Sequence, residues 1–271
     1  MEEGIRINKY LCGAGICSRR EADRCIAEGR VTFLSREHPE EAEIKAEPGQ
    51  KIREGDRVFL DGREIRRKED DRLYLILNKP RGIICTGDRR VRENIIDYAG
   101  VSQYVSYAGR LDKDSTGLVL LTNDGMLNDR IMRAANGHEK EYIVRVDKCL
   151  TRDFLEKMKN GVTIVLDDDR HLTAAPGKKG RMGVSVRTRP CRVLQTGKKE
   201  FSITLTQGYN RQIRRMCRAL GYTVLEIQRI RILNLRLGDL KEGMKRVLTR
   251  DEVSELKRLA GLDEGNSGKG G

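Results

Sequence analysis

The chain has 271 residues, 35% of them charged, and its 54 Lys and Arg outnumber 41 Asp and Glu to leave a formal net charge of +13. A basic excess of that size calls for a polyanionic partner, nucleic acid ahead of an anionic membrane. Seven scattered cysteines, none spaced Cys-x-x-Cys, and three histidines give no basis for a disulfide framework or a metal centre. The charge is uneven: residues 1–70 carry a net −1 and residues 71–271 carry +14. No apolar signal core opens the chain and no apolar run approaches about 18 residues, so a soluble, cytoplasmic protein with no membrane partner is expected.

The first periodic segment is SRREADRCIAEG (18–29). Ser18 with Glu21 three residues on makes a capping box, and Gly29 stands where a helix ends on a left-handed glycine. Helical spacing puts Ala22, Cys25 and Ile26 on one side and Arg19, Arg20 and Arg24 largely on another. These arginines are either an RNA-facing surface or a plain solvated face. RVTFL (30–34) and DRVFLDG (56–62) read as short strands, the second ending in an Asp-Gly turn. Residues 5–65 therefore form a small helical module, followed by a polar linker over 66–72.

From residue 73 the pattern becomes strand-rich. LYLILN (73–78), GLVLLT (117–122), EYIVRVD (141–147), FSITLTQG (201–208) and one long alternating run from Tyr222 to Leu237 are predicted strands. Helices are predicted over 152–161 with Thr151 as N-cap, over 210–221 with Ile213, Met216, Cys217 and Leu220 on one face, and over 249–259 with a Thr249–Glu252 capping box. The expected class is α+β: a mixed, mainly antiparallel sheet with flanking helices over residues 73–262. The tail over 263–271 has flexible-linker composition.

One block, GRLDKDSTGLVLLTNDG (109–125), admits three readings. As a calcium loop, Asp112, Asp114 and Gly117 fit positions 1, 3 and 6, but position 12 is Asn123 where a bidentate Glu is needed, and the flanks are strand-like. As a plain turn, the same residues simply precede a strand. The third reading comes from its companions: NKPRG (78–82), KEY (140–142) and NRQIRRM (210–216), in this order. Together these resemble the pseudouridine synthases of the small-subunit and large-subunit ribosomal RNA group. The N-terminal module is similar to the RNA-binding domain of ribosomal protein S-four. Within the family the likeness is to the F-type synthases of large-subunit ribosomal RNA, carried by HEKEYIVRVDK (138–148) and QGYNRQIRRMCRALGY (207–222). Two segments depart from the pattern, the acidic stretch 34–48 and the stretch 167–183, and both bear on target choice rather than on chemistry.

The resemblance implies a monomeric enzyme that isomerises uridine to pseudouridine in large-subunit ribosomal RNA, with a tRNA as a further substrate left open. The reaction detaches a base and reattaches it with no atom gained or lost, so no cofactor is implied. Asp112 would be the carboxylate acting on the ribose, either as nucleophile or as base. Arg214 would hold it ionised through a two-pronged contact, and Tyr142 would lie against the target base. Arg110 would fill the space of the flipped nucleotide. Arg19, Arg20, Arg24, Asn210, Arg211 and Arg215 would contact RNA. Two rivals are a silent RNA-binding or ribosome-assembly factor, which needs no Asp112–Tyr142–Arg214 set, and an RNA hydrolase, which would want a metal-binding cluster that the sequence lacks.

Overall fold

The computed structural model describes residues 4–38, 42–66, 72–133, 137–166 and 184–262. Most of the expected linker, the stretch 167–183 and the tail 263–271 lie outside the described residues.

The first unit comprises β1 (Ile5–Arg6), α1 (Ile7–Gly13), α2 (Arg19–Ala27), β2 (Val31–Leu34), β3 (Ile44–Lys45), β4 (Lys51–Ile52), β5 (Arg57–Leu60) and β6 (Arg63–Ile65). Four of its strands form a sheet in the order β3-β2-β5-β6. Its core joins Ile7 and Leu11 of α1, Ala22, Cys25 and Ile26 of α2, and Val31, Phe33, Ile52 and Val58 of the strands. The Ser18 hydroxyl accepts from the Glu21 N–H at 3.1 Å, and Gly29 has φ +70. The other half of the capping box is not made, because the Glu21 carboxylate faces Arg24 at 2.5 Å instead. The Asp61-Gly62 turn falls as expected, with φ of 51 and 73 at its two residues.

The second unit follows with β7 (Tyr74–Lys79), α3 (Ile95–Ala99), β8 (Ser106–Ala108), β9 (Thr116–Thr122), α4 (Gly125–Met132), β10 (Lys140–Val146), α5 (Arg152–Lys159), β11 (Thr163–Leu166) and β12 (Val184–Arg187). It continues with β13 (Arg192–Gly197), β14 (Glu200–Leu205), α6 (Gln212–Ala219), β15 (Val224–Ile232), β16 (Leu235–Arg236), β17 (Lys245–Val247) and α7 (Arg250–Leu259). Its main sheet runs β13-β14-β10-β15-β9-β7-β17, with β8 beside β9 and β16 beside β15. Only the β9–β15 pairing is parallel, so the sheet is mixed and mainly antiparallel.

Strands β7 and β9 are buried at nearly every position, and carry the apolar runs Tyr74–Leu77 and Leu118–Leu121, because both faces are covered. On one face Ile76, Leu118 and Leu120 meet Leu127 and Ile131 of α4 and Leu256 of α7. On the other, Leu75, Leu77, Val119 and Leu121 meet Ile95, Ile96 and Ala99 of α3. A third core lies under α5 and α6, where Phe154, Met158, Ile213, Met216 and Cys217 pack on Phe201 and Ile203. Burying side chains of this size contributes roughly 1.5–3 kcal/mol each.

Two expectations need correction. The run Tyr222–Leu237 is not one strand: β15 ends at Ile232, the chain turns at Leu233 with φ +50, and β16 folds back on β15. A leucine in the left-handed region gives no sequence warning of a turn. Helices α3 and α4 were also not anticipated. The close of the long motif, TNDG, is the start of α4, with the Asp124 carboxylate accepting from the N–H groups of Met126 and Leu127 at 3.1 Å.

Candidate active site

The site forms where β9 and β15 run parallel, Thr116 beside Gln228 and Gly117 beside Arg229. The chain enters β9 through residues 109–115, a loop held at several points. Gly82 of NKPRG donates its N–H to the Lys113 carbonyl at 2.8 Å. The Lys79 ammonium, fully buried, donates to the carbonyls of Pro80 at 2.9 Å and Ile83 at 2.8 Å. Asn78 donates from its side chain to the Leu240 carbonyl at 2.7 Å. NKPRG thus braces the loop.

Behind the loop lies Arg229, only 1% exposed. Its Nε donates to the Leu118 carbonyl at 2.7 Å and its Nη2 to the Gly109 carbonyl at 3.1 Å, so one guanidinium ties both ends of the segment together. The glycines at those ends are required by this closeness. Gly117 has φ +108, and a Cβ there would stand 2.3 Å from the Arg229 carbonyl oxygen; at Gly109, φ +81, it would stand 3.2 Å from Nη1.

On the opposite wall, α6 begins at Gln212 after Arg211, which is left-handed at φ 50. That backbone brings the Arg211 guanidinium 3.6 Å from both Asp112 and Asp114. Arg214 lies 3.0 Å from the Asp114 carboxylate and 4.0 Å from that of Asp112, and donates to the Val224 carbonyl at 3.2 Å. The expected two-pronged contact with Asp112 is therefore replaced by a shared arrangement in which Asp114 is the nearer partner. Burial pulls the Arg214 guanidinium below its ordinary value, and Asp114 opposes that pull.

A cavity of about 440 Å³ brings together Arg110, Asp112, Tyr142, Asn210, Arg211 and Arg214. Tyr142 is half-buried on β10, packed between the two cores beside it, and stands opposite Arg229 in register. Four buried polar atoms of this lining, His138 Nε2, Gln207 Nε2, and Nε and Nη2 of Arg214, have no hydrogen-bond partner among the described residues, the Arg214 contacts to the aspartates being ion pairs. Arg215 does not line the cavity; it donates to the carbonyls of Asn210 at 3.1 Å and Val165 at 2.5 Å. Arg19, Arg20 and Arg24 do not line it; they are exposed on α2, and Arg24 is paired with Glu21 and Glu28.

The calcium-loop reading fails on geometry, since Thr116–Thr122 is strand where such a loop would continue. Among the described residues no group of three or more His, Cys, Asp or Glu is placed to hold a metal ion. Sequence reasoning missed Arg229 and undervalued Asp114. The available signal for Arg229 was a charged residue standing between Ile227 and Arg231 on one buried face of β15.

This arrangement defines a carboxylate set among guanidiniums at a cavity large enough for a nucleoside. The description RNA pseudouridylate synthase matches residues 73–219. The chain is 42% identical over 259 residues to the dual-specificity RNA pseudouridine synthase RluF of Escherichia coli (strain K12), covering 95% of this chain and 80% of that protein. It is 31% identical over 261 residues to the ribosomal large subunit pseudouridine synthase B of Bacillus subtilis (strain 168), covering 94% and 96%. A crystal structure of a pseudouridylate synthase superposes with a TM-score of 0.59 at 25% identity, covering 93% of this chain and 99% of that one. The chain belongs to the RNA pseudouridylate synthase family and is an enzyme of RNA modification.

Proposed function

We propose that the protein isomerises specific uridines to pseudouridine in large-subunit ribosomal RNA, with Asp112 as the group that acts on the ribose. The observation that carries this reading is the convergence of Asp112, Tyr142, Arg211 and Arg214 on one cavity from separate stretches of a chain with this membership. The large-subunit target is supported by the name of the Bacillus subtilis relative. A second RNA class, tRNA first, belongs to the proposal because the Escherichia coli relative is named dual-specificity.

The C1′–N1 bond of uridine breaks, the base turns, and C1′ joins C5; the hydrogen lost from C5 is matched by one gained at N1. Asp112 serves either as nucleophile at C1′ or as base at C2′. Arg211, at 3.6 Å, and Arg214, at 4.0 Å, hold its carboxylate in place. Tyr142 lies against the base, and Arg110, exposed at the cavity rim, takes the place of the flipped nucleotide. The Nε2 atoms of His138 and Gln207, without a hydrogen-bond partner among the described residues, are suited to the polar edge of a pyrimidine. Residues 5–65 serve as the RNA-binding unit, joined through 66–72 to the catalytic unit 73–262. Arg19 and Arg20 reach phosphates directly, whereas the ion pairs of Arg24 reduce its share. We infer that the enzyme works as a monomer in the cytoplasm. No helix among the described residues is long and apolar enough to cross a membrane.

Pseudouridine mapping of total RNA from cells with and without the gene tests this. One or a few large-subunit sites lost on deletion is the expected result; an unchanged map contradicts it.

A further inference from the structure

The active-site cavity is chemically lopsided. Of the described residues that line it, Asp112 alone is acidic, while seven are Lys or Arg. Four of these, Arg110, Lys113, Arg133 and Arg211, are exposed, where a phosphate backbone can reach them. Arg214 is committed to the two aspartates. That leaves an inner pair, Lys140 and Arg229, with no carboxylate partner among the described residues.

Lys140 opens β10 two residues before Tyr142, and both line the cavity. Alternation along a strand puts such residues on one face, about 7 Å apart. Arg229 is the register partner of Tyr142 on β15. The Arg229 guanidinium is anchored by Nε and Nη2 to the carbonyls of Leu118 and Gly109, whereas the Lys140 ammonium has three donors on a flexible stem and one hydrogen bond among the described residues, to the His138 carbonyl at 3.2 Å. A base lying against Tyr142 is therefore flanked by an ammonium with unused donors.

We propose that Lys140 is the cation that takes up the negative charge left on uracil when the glycosidic bond breaks. This rests on the reading of the site given above. When C1′–N1 breaks, its electron pair stays on N1 and spreads to O2 and O4. The ribose side is handled by Asp112, and Lys140 donates a hydrogen bond to a ring carbonyl oxygen without giving up its proton. Once C1′ joins C5 and the C5 hydrogen is replaced by one at N1, the ring is neutral and Lys140 is released unchanged. A donor aimed at charge that develops only during reaction accelerates it without tightening ground-state binding.

Burial, with the positive charge of Arg229, brings the Lys140 ammonium down to about 8. Besides Arg229, the charged and titratable groups that line the same cavity are His138 and Tyr142 beside it, Cys85 after β7, Arg110, Asp112 and Lys113 on the loop, Arg133 after α4, and Tyr209, Arg211 and Arg214 at the start of α6. The cation is present below that pH and lost above it.

The test uses the purified full chain under single turnover on an RNA that it modifies. Lys140→Met is expected to slow conversion by about 100-fold, with RNA affinity changed by less than about threefold. The wild-type rate is expected to fall as pH rises through about 8. Lys140→Arg, which keeps its charge, should restore much of the rate and remove that fall. A Lys140→Met rate within about threefold of wild type, or an unchanged alkaline fall in Lys140→Arg, overturns the proposal. Asp112→Asn measured alongside separates the two claims. If it is inactive while Lys140→Met is unimpaired, only the role of Lys140 falls; if it is active, the reading of the whole site falls with it.

Discussion

Asp112 is held by contacts on three sides rather than by one salt bridge. Its backbone carbonyl accepts from the Ser115 N–H at 3.1 Å, Arg211 approaches to 3.6 Å, and Arg214 stands at 4.0 Å. Asp112→Asn keeps the size of the side chain and removes its charge, so it is predicted to leave no detectable pseudouridine while melting and RNA affinity stay near wild type. The geometry gives Asp114, read from sequence only as a turn or calcium-loop residue, a part in the site, because Arg214 lies closest to it, at 3.0 Å. Asp114→Asn should free Arg214 and lower kcat by about 10- to 100-fold, the scale of a lost charge-assisted contact. Arg214→Ala should be nearly as damaging as Asp112→Asn, and Arg214→Lys should keep partial activity. The Asp114→Asn, Arg214→Ala double variant should be little worse than Arg214→Ala alone, because the two act as one unit. Additive losses in single-turnover rate would separate them.

Elements explain why the long motif has its spelling. Residues 109–115 are the loop, 116–122 are β9, and Asn123-Asp124-Gly125 caps α4. Gly117 is demanded by β15 alongside, so Gly117→Ala should destabilise the fold by at least about 3 kcal/mol, from backbone strain plus a clash with main chain. Equilibrium unfolding in urea would measure it. The Thr249 cap of α7, where both halves of the capping box are present, is a milder test: Thr249→Ala should cost about 1 kcal/mol. Continuous apolar runs made β7 and β9 readable from sequence, and period plus caps did the same for α5, α6 and α7. Five-residue α3 is too short for helical periodicity to speak, whereas α4, as long as α5 and α6, was missed because its cap closes the long motif that reads as loop and strand. The break at Leu233 is fixed by tertiary pairing of β15 with β16, not by a turn-forming residue. Within the site, Asp112, Tyr142 and Arg214 were legible because they lie in dense motifs. Arg229 was not, since its role arises only when β15 lies parallel to β9, a contact between residues 111 positions apart.

At the scale of the whole molecule, charge is uneven. Residues 71–271 carry +14 and residues 1–70 carry −1, so the proposed function assigns the general attraction to RNA to the first and a few placed arginines to the second. Replacing Arg19 and Arg20 with Ala should weaken RNA binding and flatten its salt slope by about one unit per lost phosphate contact, with single-turnover chemistry unchanged. Adding Arg24→Ala should contribute less, given its pairs with Glu21 and Glu28. An unaltered slope would return α2 to a plain solvated face. The central claim, that Asp112 drives uridine isomerisation, is tested most directly by incubating purified wild-type and Asp112→Asn protein with unmodified large-subunit ribosomal RNA and mapping pseudouridine. Site-specific pseudouridine from wild type and none from Asp112→Asn is the predicted result; equal conversion by both, or none by either, would contradict it.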